Sequence, residues 1–223
     1  MFEEGILIKS FVRTVDGLYA ACAIRKPAGD GPFPAIVFFH GAPGGRGMEY
    51  VIKASENPCT QRFLKEGYVF VQGDWREAFP HPGVPVEGYE YNGIDDAVSI
   101  IRYTMNLPYV DPLKVGVWGY SSGGAIVLEA IGRIRVAAAV SGAPASFGIL
   151  GLKNLPKGSW EDKGILYREI PGEVSDEDID RDKVISIIDQ ISCPLFIYHG
   201  SDDFLLPMNR WLFQLIEESG KKN

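Results

Sequence analysis

Histidine is scarce in this chain: among 223 residues there are only three, His40, His81 and His199. Cysteine is as rare, with Cys22, Cys59 and Cys193 far apart and no C-x-x-C pair, so neither a histidine and cysteine metal set nor a disulfide framework fits. The three cysteines read as small core residues, and no metal or cofactor is expected. Positive charge is also in deficit. The 22 Lys and Arg face 29 Asp and Glu, a formal net charge of -7 with no basic cluster, which argues against nucleic acid or an anionic membrane as partner. No apolar run approaches the ~20 residues of a membrane span, and the opening MFEEGILIKS carries acids where a signal peptide carries bases. A soluble, cytoplasmic protein is the expectation, with the oligomeric state left open.

What the chain does have is alternation of strand and helix over a length that suits one domain, with no internal repeat or low-complexity tract. Phe2 to Val12 and Leu18 to Arg25 read as strands joined by a Val15-Asp16-Gly17 hairpin turn. Buried strands are expected at Ala35 to Phe39, Tyr68 to Gln72, Val136 to Val140 and Pro194 to Tyr198, and helices at Glu56 to Glu66, Asn92 to Tyr103 and Met208 to Ser219. The sum is an α/β fold, a mostly parallel sheet with helices on both faces behind an N-terminal antiparallel hairpin. The stretch 145–191 is the least regular and reads as a small lid or cap. Within it Ser175-Asp176-Glu177-Asp178 has the form of a capping box at a helix start.

The chemistry centres on KVGVWGYSSGG, residues 114–124. Val115, Val117 and Trp118 form strands, Gly119 breaks the run, and Ala125 to Arg133 has helical spacing, so Ser121 falls at a strand-to-helix turn. A bare G-x-S-x-G is common in a chain with 26 glycines; the strand-turn-helix context gives it weight. Only Ser121 has glycines at both required offsets, since Ser122 would need one where Tyr120 stands. The glycines let strand and helix touch, leaving the hydroxyl exposed as a nucleophile. An attacked carbonyl then needs oxyanion donors, available from the Ser122 N–H at the helix start and from Ala42 or Gly41 in the loop HGAPGG. An acid to orient a base belongs at the carboxyl ends of strands, where Asp74, Asp202 and Asp203 stand. The chain order Ser then Asp favours the pair after Tyr198.

Four stretches in this order, FFHGAPGG, GYVFVQGDWRE, YNGIDDAVSIIRYTMN leading to VDPLKVGVWGYSSGG, and CPLFIYHGSDDFLLP, give the chain a resemblance to a known group. It resembles the α/β-hydrolase catalytic domain of prolyl oligopeptidase, acylaminoacyl-peptidase and dienelactone hydrolase, over roughly Ala35 to Gly220. The resemblance implies an α/β-hydrolase fold and a serine hydrolase with Ser121 as nucleophile, Asp203 followed by Pro207 as orienting acid, and Ala42 with Ser122 as oxyanion donors. It makes His40 and His199 structural strand-end residues rather than bases. It also implies a base histidine in the loop after one further strand beyond the acid. No histidine follows Asp203, and Asn223 stands where that strand would begin. The expectation is therefore a C-terminally truncated hydrolase domain spanning 1–223, its last strand and helix missing. His81, reaching Ser121 from the loop after Gln72, is the rival base.

Three functions follow. The first is a serine esterase acting on a small-molecule ester through an acyl-enzyme. The resembling peptidases carry a large N-terminal propeller where this chain has a hairpin, so a small aminopeptidase or acylaminoacyl-peptidase acting on a short peptide is the alternative. A crippled hydrolase fold serving as a binding module is the third. A nucleotide-dependent oxidoreductase is excluded by the lack of G-x-G-x-x-G spacing and of a ribose-binding acid after Val140.

Overall fold

The computed structural model describes residues 5–76, 93–150, 177, 179–203 and 205–220. His81 and most of the expected lid, 151–176 and 178, lie outside them, as do three of the four expected capping-box residues, Ser175, Asp176 and Asp178. The chain opens with β1 (Ile6–Arg13) and β2 (Tyr19–Lys26), paired antiparallel with Arg13 opposite Tyr19. Asp16 closes the turn between them by accepting from the Leu18 N–H at 3.1 Å. There follow β3 (Phe33–Phe39), α1 (Gly47–Ala54), α2 (Pro58–Lys65), β4 (Val69–Gly73), α3 (Gly93–Met105), β5 (Val110–Tyr120), α4 (Ser122–Arg133), β6 (Ala138–Gly142), α5 (Phe147–Leu150), α6 (Arg181–Gln190), β7 (Leu195–Tyr198) and α7 (Leu206–Glu218).

The seven strands make one sheet in the order β1-β2-β4-β3-β5-β6-β7. β2 runs antiparallel to both neighbours, and every other pairing is parallel. Among the described residues β1 and β7 are the two edges.

Both faces are covered, and the strand period shows how. Ala20, Cys22 and Ile24 of β2 join Val37, Phe39, Val69 and Val71 in the main core beneath α3 and α4. The alternate residues Ala21 and Ala23 point the other way, onto Val51 of α1. That second face also carries an aromatic layer, Phe38 with its ring centroid 4.6 Å from that of Trp118, and Phe70 stacked on Phe63 of α2 at 5.8 Å. A third cluster joins α4 to α5, α6 and α7 through Leu128, Ile149, Val184, Ile188, Met208 and Leu212. The described flanks of 145–191 are thus part of the core.

Three local features depart from the sequence reading. Helix α1 lies in a stretch assigned to no element, because its start has no local cap: Arg46 makes no side-chain capping bond, and the Gly47 N–H is instead taken by Asp74 Oδ2 at 2.6 Å, from 27 residues away. Helix α6 is capped by Asp180, which accepts from Lys183 N at 3.1 Å. Cys22 and Cys193 are buried as expected, with burial pushing the Cys22 thiol up to about 12, whereas Cys59 is exposed at the start of α2. Its position beside Pro58 and the cap residue Asn57 places it on the solvent side of a short amphipathic helix.

Candidate active site

Ser121 stands between β5 and α4 with φ 56° and ψ -122°, a left-handed conformation rare for a residue with a Cβ. Such strain costs on the order of 1–3 kcal/mol. It is outweighed by α4, where Ile126, Val127, Leu128 and Ile131 are all buried, each worth about 1.5–3 kcal/mol relative to exposure. The turn is sharp because strand and helix touch at glycine. A Cβ on Gly119 would fall 2.2 Å from Gly123 O, and one on Gly123 would fall 2.2 Å from Phe39 O and 2.5 Å from His40 O. The Ser121 backbone is held by its N–H to Gly142 O at 2.9 Å and by its C=O, which accepts from Ala125 N and Ala145 N at 3.1 and 3.0 Å. Its hydroxyl makes no capping bond to α4, and among the described residues nothing hydrogen-bonds to it.

The loop after β3 closes against this serine. A Cβ on Gly41 would lie 3.0 Å from Ser121 Cβ and 3.5 Å from its Oγ, so the Gly41-Ala42 segment lies alongside the hydroxyl. Ala42 is half-buried against the main core, and Ser122 is buried at the first turn of α4, where N–H groups lack intrahelical partners. Gly41, which precedes Ala42, and the first turn of α4 at Ser122 thus both adjoin Ser121.

What holds that loop was only partly foreseen. His40 and Asp74 are both buried; His40 Nε2 is 3.0 Å from Asp74 Oδ1 and Nδ1 is 2.6 Å from Gly41 O. Asp74 also accepts from the Trp75 and Gly47 N–H groups at 2.9 and 2.6 Å. Trp75 Nε1 donates to His40 O at 3.0 Å, and Trp75 O accepts from Gly45 N at 2.7 Å. Gly44 packs so closely that a Cβ there would fall 2.3 Å from Trp75 O. Residues 74–75 thus clamp the loop at both ends, and Arg76 anchors them in turn through Asp96, buried in α3, and Asp16 of the hairpin turn. Both Asp74 oxygens are engaged in this clamp, which removes Asp74 from the acids able to orient a base.

Burial pushes the Asp74 carboxyl up, and the bonds from His40, Gly47 and Trp75 outweigh it, leaving the group below the usual carboxylate value. A lowered carboxylate stabilises the fold above its unfolded pKa and loses that contribution as pH falls through the folded value. Asp74→Asn is expected to cost about 3 kcal/mol at pH 7, since it leaves a buried partner uncompensated. The same variant should lose less stability than the wild type as pH falls below about 4 in urea unfolding monitored by circular dichroism.

Asp203 follows β7 on the same sheet edge as Ser121. Tyr198 pairs with Gly142, and Gly142 with Tyr120, so the two sites are two strands, about 10 Å, apart laterally. Asp203 Oδ1 accepts from the Leu205 N–H at 2.9 Å, and its backbone starts the turn into α7. Asp202 is exposed. His199 is held by the fully buried Asn209, whose Nδ2 lies 2.7 Å from His199 Nε2 and 2.8 Å from Pro144 O, while Ser146 Oγ donates to Asn209 Oδ1. Asn209 went unmarked in the sequence, although a polar residue on the apolar face shared by Met208, Leu212 and Leu215 was a usable signal. Neither His40 nor His199 hydrogen-bonds to Ser121.

A profile of the prolyl oligopeptidase family matches residues 86–215, more than half of the chain. The chain belongs to the prolyl oligopeptidase family. Within the family's wider relations, it is similar to the quorum-quenching protein AidA of Acinetobacter baumannii (strain MDR-ZJ06), 32% identical over 123 residues. That match takes in 54% of this chain and 38% of AidA, so the chain spans well under half of that relative's length. Among solved structures, esterase Est22 superposes with a TM-score of 0.64 over 98% of this chain and 70% of its own, at 17% identity. An esterase of Pyrobaculum calidifontis gives 0.61 over 96% and 73%, at 17% identity. Dipeptidyl peptidase 4 of Porphyromonas gingivalis gives 0.62 over 99% of this chain and 31% of its own, at 17% identity. Together with the sheet order these likenesses identify the fold as α/β-hydrolase, as the four sequence stretches implied. No described helix is long and apolar enough to cross a membrane.

Proposed function

We propose that this protein is a serine hydrolase of carboxylic esters working through an acyl-enzyme on Ser121. The observation that carries the reading is the strained Ser121 turn, its hydroxyl free of hydrogen bonds among the described residues, with Gly41 packed against it. Ser121 Oγ attacks the ester carbonyl while its proton passes to a base, and the oxyanion that forms accepts from the backbone N–H groups of Ser122 and Ala42. Collapse of the tetrahedral intermediate expels the alcohol, which takes that proton, and water then hydrolyses the acyl-serine by the reverse sequence. Asp203 is the acid that orients the base. Neighbours named esterase favour a small-molecule ester, while the peptidase neighbour keeps a short peptide as the alternative substrate.

Short-chain p-nitrophenyl esters are expected to turn over at least tenfold faster, in kcat/KM, than aminoacyl or dipeptidyl anilides; the reverse order would assign a peptidase. His81→Gln is expected to leave ester turnover within about twofold of wild type, and loss of activity would make His81 the base. The binding-module reading draws on one observation, that neither described histidine touches Ser121. A fluorophosphonate probe separates it: covalent labelling of the wild-type chain contradicts a non-catalytic module.

A further inference from the structure

We propose that the cavity between the β1-β2 turn and α3 binds a small organic anion bearing a carboxylate or phosphate group. This open cavity has a volume of about 530 Å³, within the usual size range of small-molecule sites. Its two walls come from the end of β1 with the following turn, and from Ser99, Arg102 and Tyr103, a single stripe of α3 at i, i+3 and i+4, with Asn106 just past its end. Each wall contributes one guanidinium, Arg13 from the turn side and Arg102 from the helix.

The charge arrangement is unusual for a chain of net charge -7. Among the described residues no Asp or Glu lines the cavity, and neither Arg13 nor Arg102 has an acid partner. The carboxylates nearest in sequence are occupied elsewhere: Asp16 and Asp96 by Arg76, and Asp95 by Arg133 at 3.0 Å. The neutral groups are equally committed. Ser99 Oγ donates to Asp95 O at 2.7 Å, Asn106 Nδ2 to Arg102 O at 2.7 Å, and Tyr103 Oη bonds Ser10 Oγ at 2.8 Å. Two guanidiniums with five donors each are what remains to be satisfied, and their planar forks match the oxygens of carboxylate or phosphate. Val12, Val15 and the Tyr103 ring supply an apolar wall, which makes the ligand organic. A lone arginine in the last turn of α3 could serve only the helix dipole; the facing Arg13 has no such role. The site is distinct from the Ser121 edge, since β1 is four strands from β5, about 19 Å.

The test is titration of the full chain with phenyl phosphate, benzoate and inorganic phosphate, followed by amide chemical shifts. Saturable shifts at Thr14, Gly17 and Arg102 to Asn106 are expected below about 10 mM, with phenyl phosphate binding more tightly than inorganic phosphate. Affinity should fall at least tenfold in the double variant Arg13→Gln, Arg102→Gln, fall with added salt in the wild type, and stay unchanged in Ser121→Ala. Both arginine side chains are exposed and without an ion-pair partner among the described residues, so the double variant should keep its melting temperature. Non-saturable shifts, wild-type affinity in the double variant, or loss of binding in Ser121→Ala would overturn the proposal. Equal affinity for the two phosphates would overturn its organic part.

Discussion

With a general base in place, Ser121→Ala is expected to lower p-nitrophenyl acetate hydrolysis by about 10³-fold or more, with KM changed far less than kcat. Among the described residues the hydroxyl makes no hydrogen bond, so its removal should leave the melting temperature within about 1 °C of wild type. The neighbouring Ser122→Ala is the control. In the proposed mechanism Ser122 serves through its backbone N–H, and the residue is buried in the first turn of α4, so loss of its hydroxyl should cost only a few-fold in rate. A Ser122→Ala effect equal to that of Ser121→Ala would move the nucleophile by one residue and break the G-x-S-x-G reading.

Gly123→Ala should be among the most damaging single methyls at the described glycines, costing about 3–5 kcal/mol in urea unfolding. Its Cβ would sit 2.2 Å from Phe39 O and 2.5 Å from His40 O, both backbone atoms at the end of β3, so relief requires separating α4 from the sheet. Separation would also open the Gly41-Ala42 loop from Ser121, and residual folded protein should be catalytically poor. Gly132→Ala in the same helix is the comparison. There a Cβ would meet Gln190 Cβ at 3.3 Å, a side-chain contact able to shift, and the gain in helix propensity offsets it to within about 1 kcal/mol.

The two variants bear on the part of the molecule that was most legible in the sequence. Strand-then-helix periodicity around GYSSGG located the turn, and the glycine offsets identified which serine occupies it. The hairpin and the parallel strands were read from their apolar runs; β4 is buried throughout as expected, whereas β3 alternates between buried and half-buried residues despite its unbroken apolar run. The rest was out of reach because it depends on long-range contacts. Helix α1 is capped by Asp74 from 27 residues away. β5 begins at Val110, earlier than its apolar run, because Val110 pairs with Phe33 before an irregularity around Asp111 and Pro112 restores register at Val115 opposite Ala35.

Asp74 shows the same limit at the site. In the residues alone only chain order set this strand-end acid behind Asp202 and Asp203, and its bonds to His40, Gly47 and Trp75 reveal a loop-clamping role. The Arg76 link to Asp96 and Asp16 ties that clamp to the N-terminal hairpin, a connection across 60 residues with no local pattern to betray it.

The central claim is that Ser121 accepts an acyl group, and it is tested most directly by intact-mass and peptide mapping after exposure of the wild-type chain to a fluorophosphonate. A single adduct on Ser121, absent after heat denaturation, is the predicted result. No adduct, or an adduct on another residue with Ser121 unmodified, would contradict it.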